Sequence, residues 1–375
     1  MLPRDPDEGH RAASSLELFF DLVFVVAVGF AATDLHHIEV EGHIGSAVLG
    51  YAFLFFAIWW AWMNFTWFAT SFDTDDWLYR VTTIVQMAGV LVLAAGVHAA
   101  MVEHDYRVVV VGYVVMRLAM VSQWLRAARA ASAYRVVARR YAVGIAVVQV
   151  LWVLWVFVPA PVQPFVVPFL VACELAVPPV AERAHTTPWH PHHITERYGL
   201  FTLIVLGEGL VASANAVIDA VGHAEHLAPL LVLAACGLVI TAGLWWVYFS
   251  REQQEALASF PRALVFGYGH WFVFAAAGAL PAGIEVAVAA DAGEADLSHA
   301  SVAATVAVPV AVFLLAVQAL ALRRGLGTAG NVTVTALALA VAATVLVPSV
   351  SLVLIAACVA AVVVVVEVTG RRTAV

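Results

Sequence analysis

The 375-residue chain contains no lysine, and its 18 basic residues are all arginine. A GC-rich coding sequence accounts for that bias more simply than a demand for guanidinium groups. Charged residues of both signs make up only 12% of the chain. No basic patch is interleaved with aromatics, which argues against nucleic acid as a partner. Cysteine is almost as scarce: Cys173, Cys236 and Cys358 each fall within an apolar run, with no C-x-x-C spacing. They read as small buried hydrophobes, not as a disulfide or zinc framework. Also missing are a Walker loop, a G-x-S-x-G elbow, an H-E-x-x-H pair and a G-x-G-x-x-G turn between strand and helix, so no enzyme and no cofactor are expected.

What the chain has in abundance is apolar surface. Hydrophobic residues make up 63% and the mean hydropathy is +0.93, which places it among polytopic membrane proteins with the lipid bilayer as its solvent. Runs long enough to span lie near 16–33, 46–70, 78–101, 107–126, 136–158, 163–181, 193–217, 227–249, 263–289, 301–322, 331–347 and 350–368. The last two are read as separate because one helix over 331–368 would be about 57 Å long, so a hairpin is expected at Pro348-Ser349. The sequence therefore predicts an all-α fold of about twelve transmembrane helices. Residues 1–13 are hydrophilic and the first apolar run holds Glu17 and Asp21, which argues against a cleaved signal peptide.

Loop charge gives an orientation. With both termini cytoplasmic, every arginine except Arg107 and Arg117 falls on the inner side, including Arg11, Arg80, Arg139, Arg140, Arg183, Arg262, Arg323 and Arg324. The outer loops carry Asp34, Glu39, Glu41, Glu103, Asp105, Asp219, Glu225, Asp291, Glu294 and Asp296. A multi-pass protein of the cell membrane is expected. A weak internal repeat is also legible: Arg80 with Ala94-Ala95-Gly96 is echoed by Arg262 with Ala276-Ala277-Gly278, and Trp59-Trp60 by Trp245-Trp246. Such offsets predict two parallel six-helix halves, 16–181 and 182–369, between a cytoplasmic segment 1–15 and a tail 370–375.

Ionisable residues inside the apolar runs are the candidate site. Glu208, flanked by Gly207 and Gly209, lies roughly 22 Å along its helix from His193, near the middle of a hydrocarbon layer about 30 Å thick. The glycines leave room for a neighbouring helix. Arg197 and Glu208, eleven residues apart, share a helix face. Glu17 and Asp21 stand at i and i+4 and also face one way. Ser14 with Glu17 forms a capping box, a sufficient reason for that glutamate, whereas Asp21 is a turn deeper and needs another. Arg117 and Glu174 are expected at the same midplane depth as Glu208. One arginine facing two carboxylates implies either a static ion pair with a leftover proton or a hydrated path.

The histidines read as peripheral. His36, His37 and His43 are placed in the first outer loop. His185, His190, His192 and His193 precede the seventh helix, where His193 and Glu196 at i and i+3 are weak metal candidates beside the plainer reading of a solvated loop. His98 and His270 are expected to be satisfied core histidines, and Glu285 to reach for the interface. Trp59, Trp60, Trp62 and Trp67 are expected to form an interfacial belt.

Five stretches carry a family resemblance: ELFFDLVFVVAV at 17–28, FTWFATSFDTDDWLYR at 65–80, QMAGVLVLAAG at 86–96, ERYGLFTLIVLGE at 196–208 and LWWVYF at 244–249. The chain resembles bacterial low temperature requirement protein A. The resemblance implies an integral membrane protein linked to growth in the cold, and it matches Glu17, Asp21, His193, Glu196, Arg197 and Glu208 to the family pattern. Ser250 stands where the family pattern favours an acidic residue. A more distant likeness, through Phe19-Phe20-Asp21, is to the lysosomal potassium and proton channels built of six-helix units. Together these point to an ion- or proton-coupled transporter or channel using Asp21, Arg117, Glu174 and Glu208, with a proton, a cation or a small molecule as cargo. A membrane sensor or structural protein with a buried ion-pair core is the alternative. The oligomeric state is not legible.

Overall fold

The structure is a computed structural model that describes residues 1–5, 12–183, 185–222 and 227–373. Arg11 and Glu225, placed on opposite sides above, lie outside the described residues. Among those described, twelve helices are long and apolar enough to cross a membrane. The helices are α1 (Ser15–Val40), α2 (Ile44–Ser71), α3 (Trp77–Ala95), α4 (Val97–Val102), α5 (Arg107–Ala130), α6 (Arg135–Trp155), α7 (Gln163–Ala181), α8 (Pro191–Gly222), α9 (Leu227–Phe249), α10 (Phe260–Asp291), α11 (His299–Val317), α12 (Gly327–Ala343) and α13 (Ser351–Thr373). Only α4 is too short to span. It continues the third apolar run after a break at Gly96, where a single helix was expected. The expected hairpin is present: two 3₁₀ turns, Thr344–Leu346 and Pro348–Val350, separate α12 from α13.

Contacts divide the chain into two compact units. The first comprises Met1–Phe30 and Phe56–Tyr198, the second Ala31–Phe55 and Gly199–Val375. In the first, α3, α5, α6 and α7 pack in sequence order, and a two-residue antiparallel bridge pairs Leu2 with Asp73 and Pro3 with Phe72. Within this unit a close seam joins α3 to α5: a Cβ on Gly112 would lie 2.4 Å from the Leu93 amide nitrogen and 2.6 Å from the Gly89 carbonyl. Only glycine lets the two backbones meet so closely. In the second unit, α10 packs on α11, α9 on α13, and α11, α12 and α13 on one another.

Several expectations about helix ends and side chains need correcting. No breaker interrupts Asp34–Val40, so α1 continues to Val40 and the chain turns only at Gly42, with φ +85°. His36, His37 and Glu39 are therefore helical, not a loop. Glu285 does not simply reach outward: it is half-buried, with a carboxylate oxygen 3.7 Å from His36 Nδ1. His98 is exposed, whereas His270 is buried between the Phe266 carbonyl at 2.7 Å and the Tyr248 hydroxyl at 3.1 Å. The three cysteines are free.

Candidate functional site

The first unit holds two clusters of buried charge. One is built from two helix starts whose i, i+4 pairs face each other, Glu17 and Asp21 on α1, His193 and Arg197 on α8. Ser14 and Glu17 make the expected capping box, the Ser14 amide donating to Glu17 Oε2 at 2.8 Å and the Glu17 amide to Ser14 Oγ at 3.3 Å. The other Glu17 oxygen does more than cap. It lies 3.1 Å from His193 Nε2 and 3.2 Å from Arg197 Nη1. One turn deeper, Arg197 grips Asp21 with two donors, Nη2 to Oδ1 at 2.6 Å and Nε to Oδ2 at 3.2 Å. Trp62 of α2 donates its indole N–H to the same Oδ1 at 2.7 Å.

None of these four ionisable groups is more than 1% exposed. Aromatic rings close the cluster off: Phe20 stacks on Phe65 at 3.8 Å, and the Arg197 guanidinium lies over the Phe65 ring at 5.8 Å. Tyr198 sets its ring edge-on to Trp62 and receives the Trp67 indole N–H at 3.1 Å. His190 supports the start of α8: its ring accepts from the His193 amide at 3.3 Å, and its own amide donates to Thr70 Oγ1 at 3.2 Å. With both carboxylates and Arg197 ionised, the cluster is neutral only when one proton sits on the Glu17–His193 pair.

The second cluster surrounds Glu174 of α7. Its Oε2 accepts from Arg117 Nη2 at 2.9 Å and from Trp60 Nε1 at 2.8 Å. Its Oε1 accepts from the Tyr113 hydroxyl at 2.8 Å and from Trp152 Nε1 at 3.2 Å. Tyr113 and Arg117 are one turn apart on α5, so both reach the same carboxylate. The pair is neutral and Glu174 has four donors, the full complement that a buried carboxylate needs.

Glu208 lies in the second unit. It is half-buried and makes no ion pair with another described residue. The expectation that Arg117 would face two carboxylates at one depth thus gives way to a one-to-one pair with Glu174. Nor do Arg197 and Glu208 form a continuous polar edge, since Arg197 is consumed by the α1 carboxylates. Only one of the flanking glycines is used as expected: a Cβ on Gly209 would sit 3.1 Å from Thr241 Oγ1 of α9, while one on Gly207 would meet nothing within 4 Å.

Among the described residues, no group of three or more His, Cys, Asp or Glu side chains is arranged to hold a metal ion. His193 turns its Nε2 to Glu17, and Glu196 beside it is half-buried. Outside the spans, Glu182 sits at the end of α7, where burial pushes its carboxyl above the usual range although Thr187 and Tyr141 donate to it. On the α2–α3 turn, the hydrogen bond from Arg126 holds Asp76 below that range, and the one from Arg80 does the same for Asp75.

A family model, the bacterial low temperature requirement A protein, matches residues 12–368. The chain belongs to this family. It is also 27% identical over 289 residues to an uncharacterized protein of Rhizobium meliloti (strain 1021), an alignment covering 71% of this chain and 67% of that one. Of the six residues matched to the low temperature requirement A pattern, the structure brings Glu17, Asp21, His193 and Arg197 into one cluster and leaves Glu196 and Glu208 outside it.

Sequence reasoning missed the indoles. Trp59, Trp60 and Trp62 are not an interfacial belt, because each is no more than 1% exposed, and Trp60 and Trp62 donate to Glu174 and Asp21. Tyr113 and Trp152 were missed likewise. The available signal was their place well inside apolar runs, where a buried Trp or Tyr polar group must find an acceptor and few acceptors exist.

Proposed function

We propose that this low temperature requirement A family member is a proton-coupled transporter or channel in which the Glu17–His193 pair handles the proton. One observation carries the reading: four ionisable groups, Glu17, Asp21, His193 and Arg197, are buried in contact with one another on two membrane helices. Intramembrane ionisable clusters on several helices are the usual signature of a conducted or coupled ion. Glu208, a half-buried carboxylate with no ion pair among the described residues, is the candidate for a second station, with a proton, a monovalent cation or a small molecule as cargo. The arginine distribution supports a cell-membrane protein with both termini cytoplasmic, and the spaced motif offsets support two parallel six-helix halves. The absence of any familiar catalytic motif supports transport over enzymatic chemistry.

A second reading is favoured by Glu174. A carboxylate with four donors and one matched arginine is the arrangement of a fixed helix register, as in a membrane sensor or structural protein. Flux of protons and monovalent cations into liposomes holding the purified protein separates the two. Transport predicts a pH-dependent flux that is lost in Glu17→Gln and reduced in Glu208→Gln while both variants remain folded. If the wild type carries no ion under a pH gradient or a potential, and no tested organic solute, transport fails and the structural reading stands.

A further inference from the structure

The arginines that take no part in either cluster are not spread evenly over the helix ends. On α6, Val136, Arg139 and Arg140, and Val143 recur at helical spacing and so share one face. Val180 near the end of α7 and Arg183 in the turn just beyond it complete the lining. These side chains and Gly144 line a groove of about 730 Å³ between the two helices. Val136, Val143 and Val180 are all exposed, a slot of apolar wall below three guanidinium groups. No ion pair with a described residue neutralises those arginines. The carboxylate closest in sequence, Glu182, is turned away to Tyr141 and Thr187, and Arg135 donates to the Ala128 carbonyl.

The second unit repeats the chemistry independently. Arg262 at the start of α10, and Arg323 with Arg324 just beyond α11, line a groove of about 600 Å³ with Val265, Phe266 and Leu320 as its apolar part. Three arginines over an apolar slot, twice, at the ends of membrane helices, match one kind of occupant. Guanidinium groups grip phosphate in pairs of hydrogen bonds, and exposed valines at this depth meet acyl chains.

We infer that each groove is a binding site for an anionic phospholipid, its phosphate held by the arginines and an acyl chain laid along the valine or Val265–Leu320 wall. The inference stands apart from transport and needs no conducted ion. It also gives the lysine-free composition a consequence, since every basic residue at these ends is one that binds phosphate bidentately.

The test is native mass spectrometry of the full chain in detergent, delipidated and then titrated with dioleoylphosphatidylglycerol or dioleoylphosphatidylcholine. Wild type should retain two phosphatidylglycerol molecules and release phosphatidylcholine. Arg139→Ala/Arg140→Ala/Arg183→Ala should retain one, with binding at the lost site weakened on the order of a hundredfold, since each surface arginine contributes roughly a factor of five. The corresponding lysine triple variant keeps the charge but loses the paired hydrogen bonds, and should bind between wild type and the alanine triple. If the alanine triple is not recovered folded, Val143→Glu, which puts a carboxylate into the slot, should cost the same molecule. Equal retention of phosphatidylcholine, an unchanged count in both variants, or displacement by millimolar inorganic phosphate as effective as by lipid would overturn the proposal.

Discussion

Arg197→Met is the most informative perturbation of the buried cluster. It removes both hydrogen bonds to Asp21 and the contact with Glu17, leaving two carboxylates without their arginine and His193 still 3.1 Å from Glu17. Breaking a buried ion pair from one side costs about 3–5 kcal/mol, most of it the unpaired charge left behind. Asp21→Asn keeps an acceptor for Trp62 but turns an amide N–H2 toward the Arg197 donors, and should cost about 1–3 kcal/mol. In the double variant Asp21 no longer leaves a stranded charge and the donor clash is gone, while Glu17 has still lost Arg197. Its destabilisation should therefore fall short of the sum of the singles by about 1–3 kcal/mol. Reversible unfolding in mixed micelles with rising SDS, followed by far-UV circular dichroism, measures all three. Single and double variants that add to within about 0.5 kcal/mol would show that the two residues are not coupled in the folded membrane protein, and the reasoning about the cluster would be wrong.

Other perturbations follow from the same geometry. Trp60→Phe strips one of the four donors from Glu174 and should destabilise by about 1–3 kcal/mol in the same assay, while Trp245→Phe, at an exposed position, should change little. Gly112→Ala must part the α3 and α5 backbones and should cost at least about 1–3 kcal/mol, whereas Gly207→Ala has open space and should be neutral or gain up to about 1 kcal/mol of helix propensity. Glu182 titrates above its ordinary 4.5 when folded, so the folded state holds a proton that the unfolded state has already released. Stability should accordingly decline as pH rises from that ordinary value through the raised one, and Glu182→Gln should flatten that part of a melting-temperature profile.

How much of the site was legible varies residue by residue. The Ser14–Glu17 capping box is local, three residues apart, and could be read directly. So could the depth of Arg117 and Glu174, because helix rise converts residue number into height. What could not be read was azimuth. Glu208 and Glu174 were equally plausible partners for Arg117 at one height, and the choice depended on which way α5, α7 and α8 are turned. In a soluble helix an apolar stripe gives that rotation away, but α1, α2 and α9 are apolar on nearly every side, since lipid and protein core make the same demand. The indole donors were hidden for the same reason: a tryptophan facing lipid headgroups and one facing a carboxylate look alike in sequence.

The sequence by itself thus determined the class of the protein, the twelve apolar helices, the hairpin at Pro348 and the shared level of Arg117 and Glu174. Hydropathy and helix rise are sums along the chain and need no partner. Tertiary structure alone decided the pairings: Glu17 with His193 as well as its cap, Asp21 with Arg197 and Trp62, Glu174 with one arginine and three neutral donors, and Glu208 with no ion-pair partner among the described residues. A buried ionisable group takes its properties from whatever lies within about 4 Å, and those neighbours come from helices far apart in sequence.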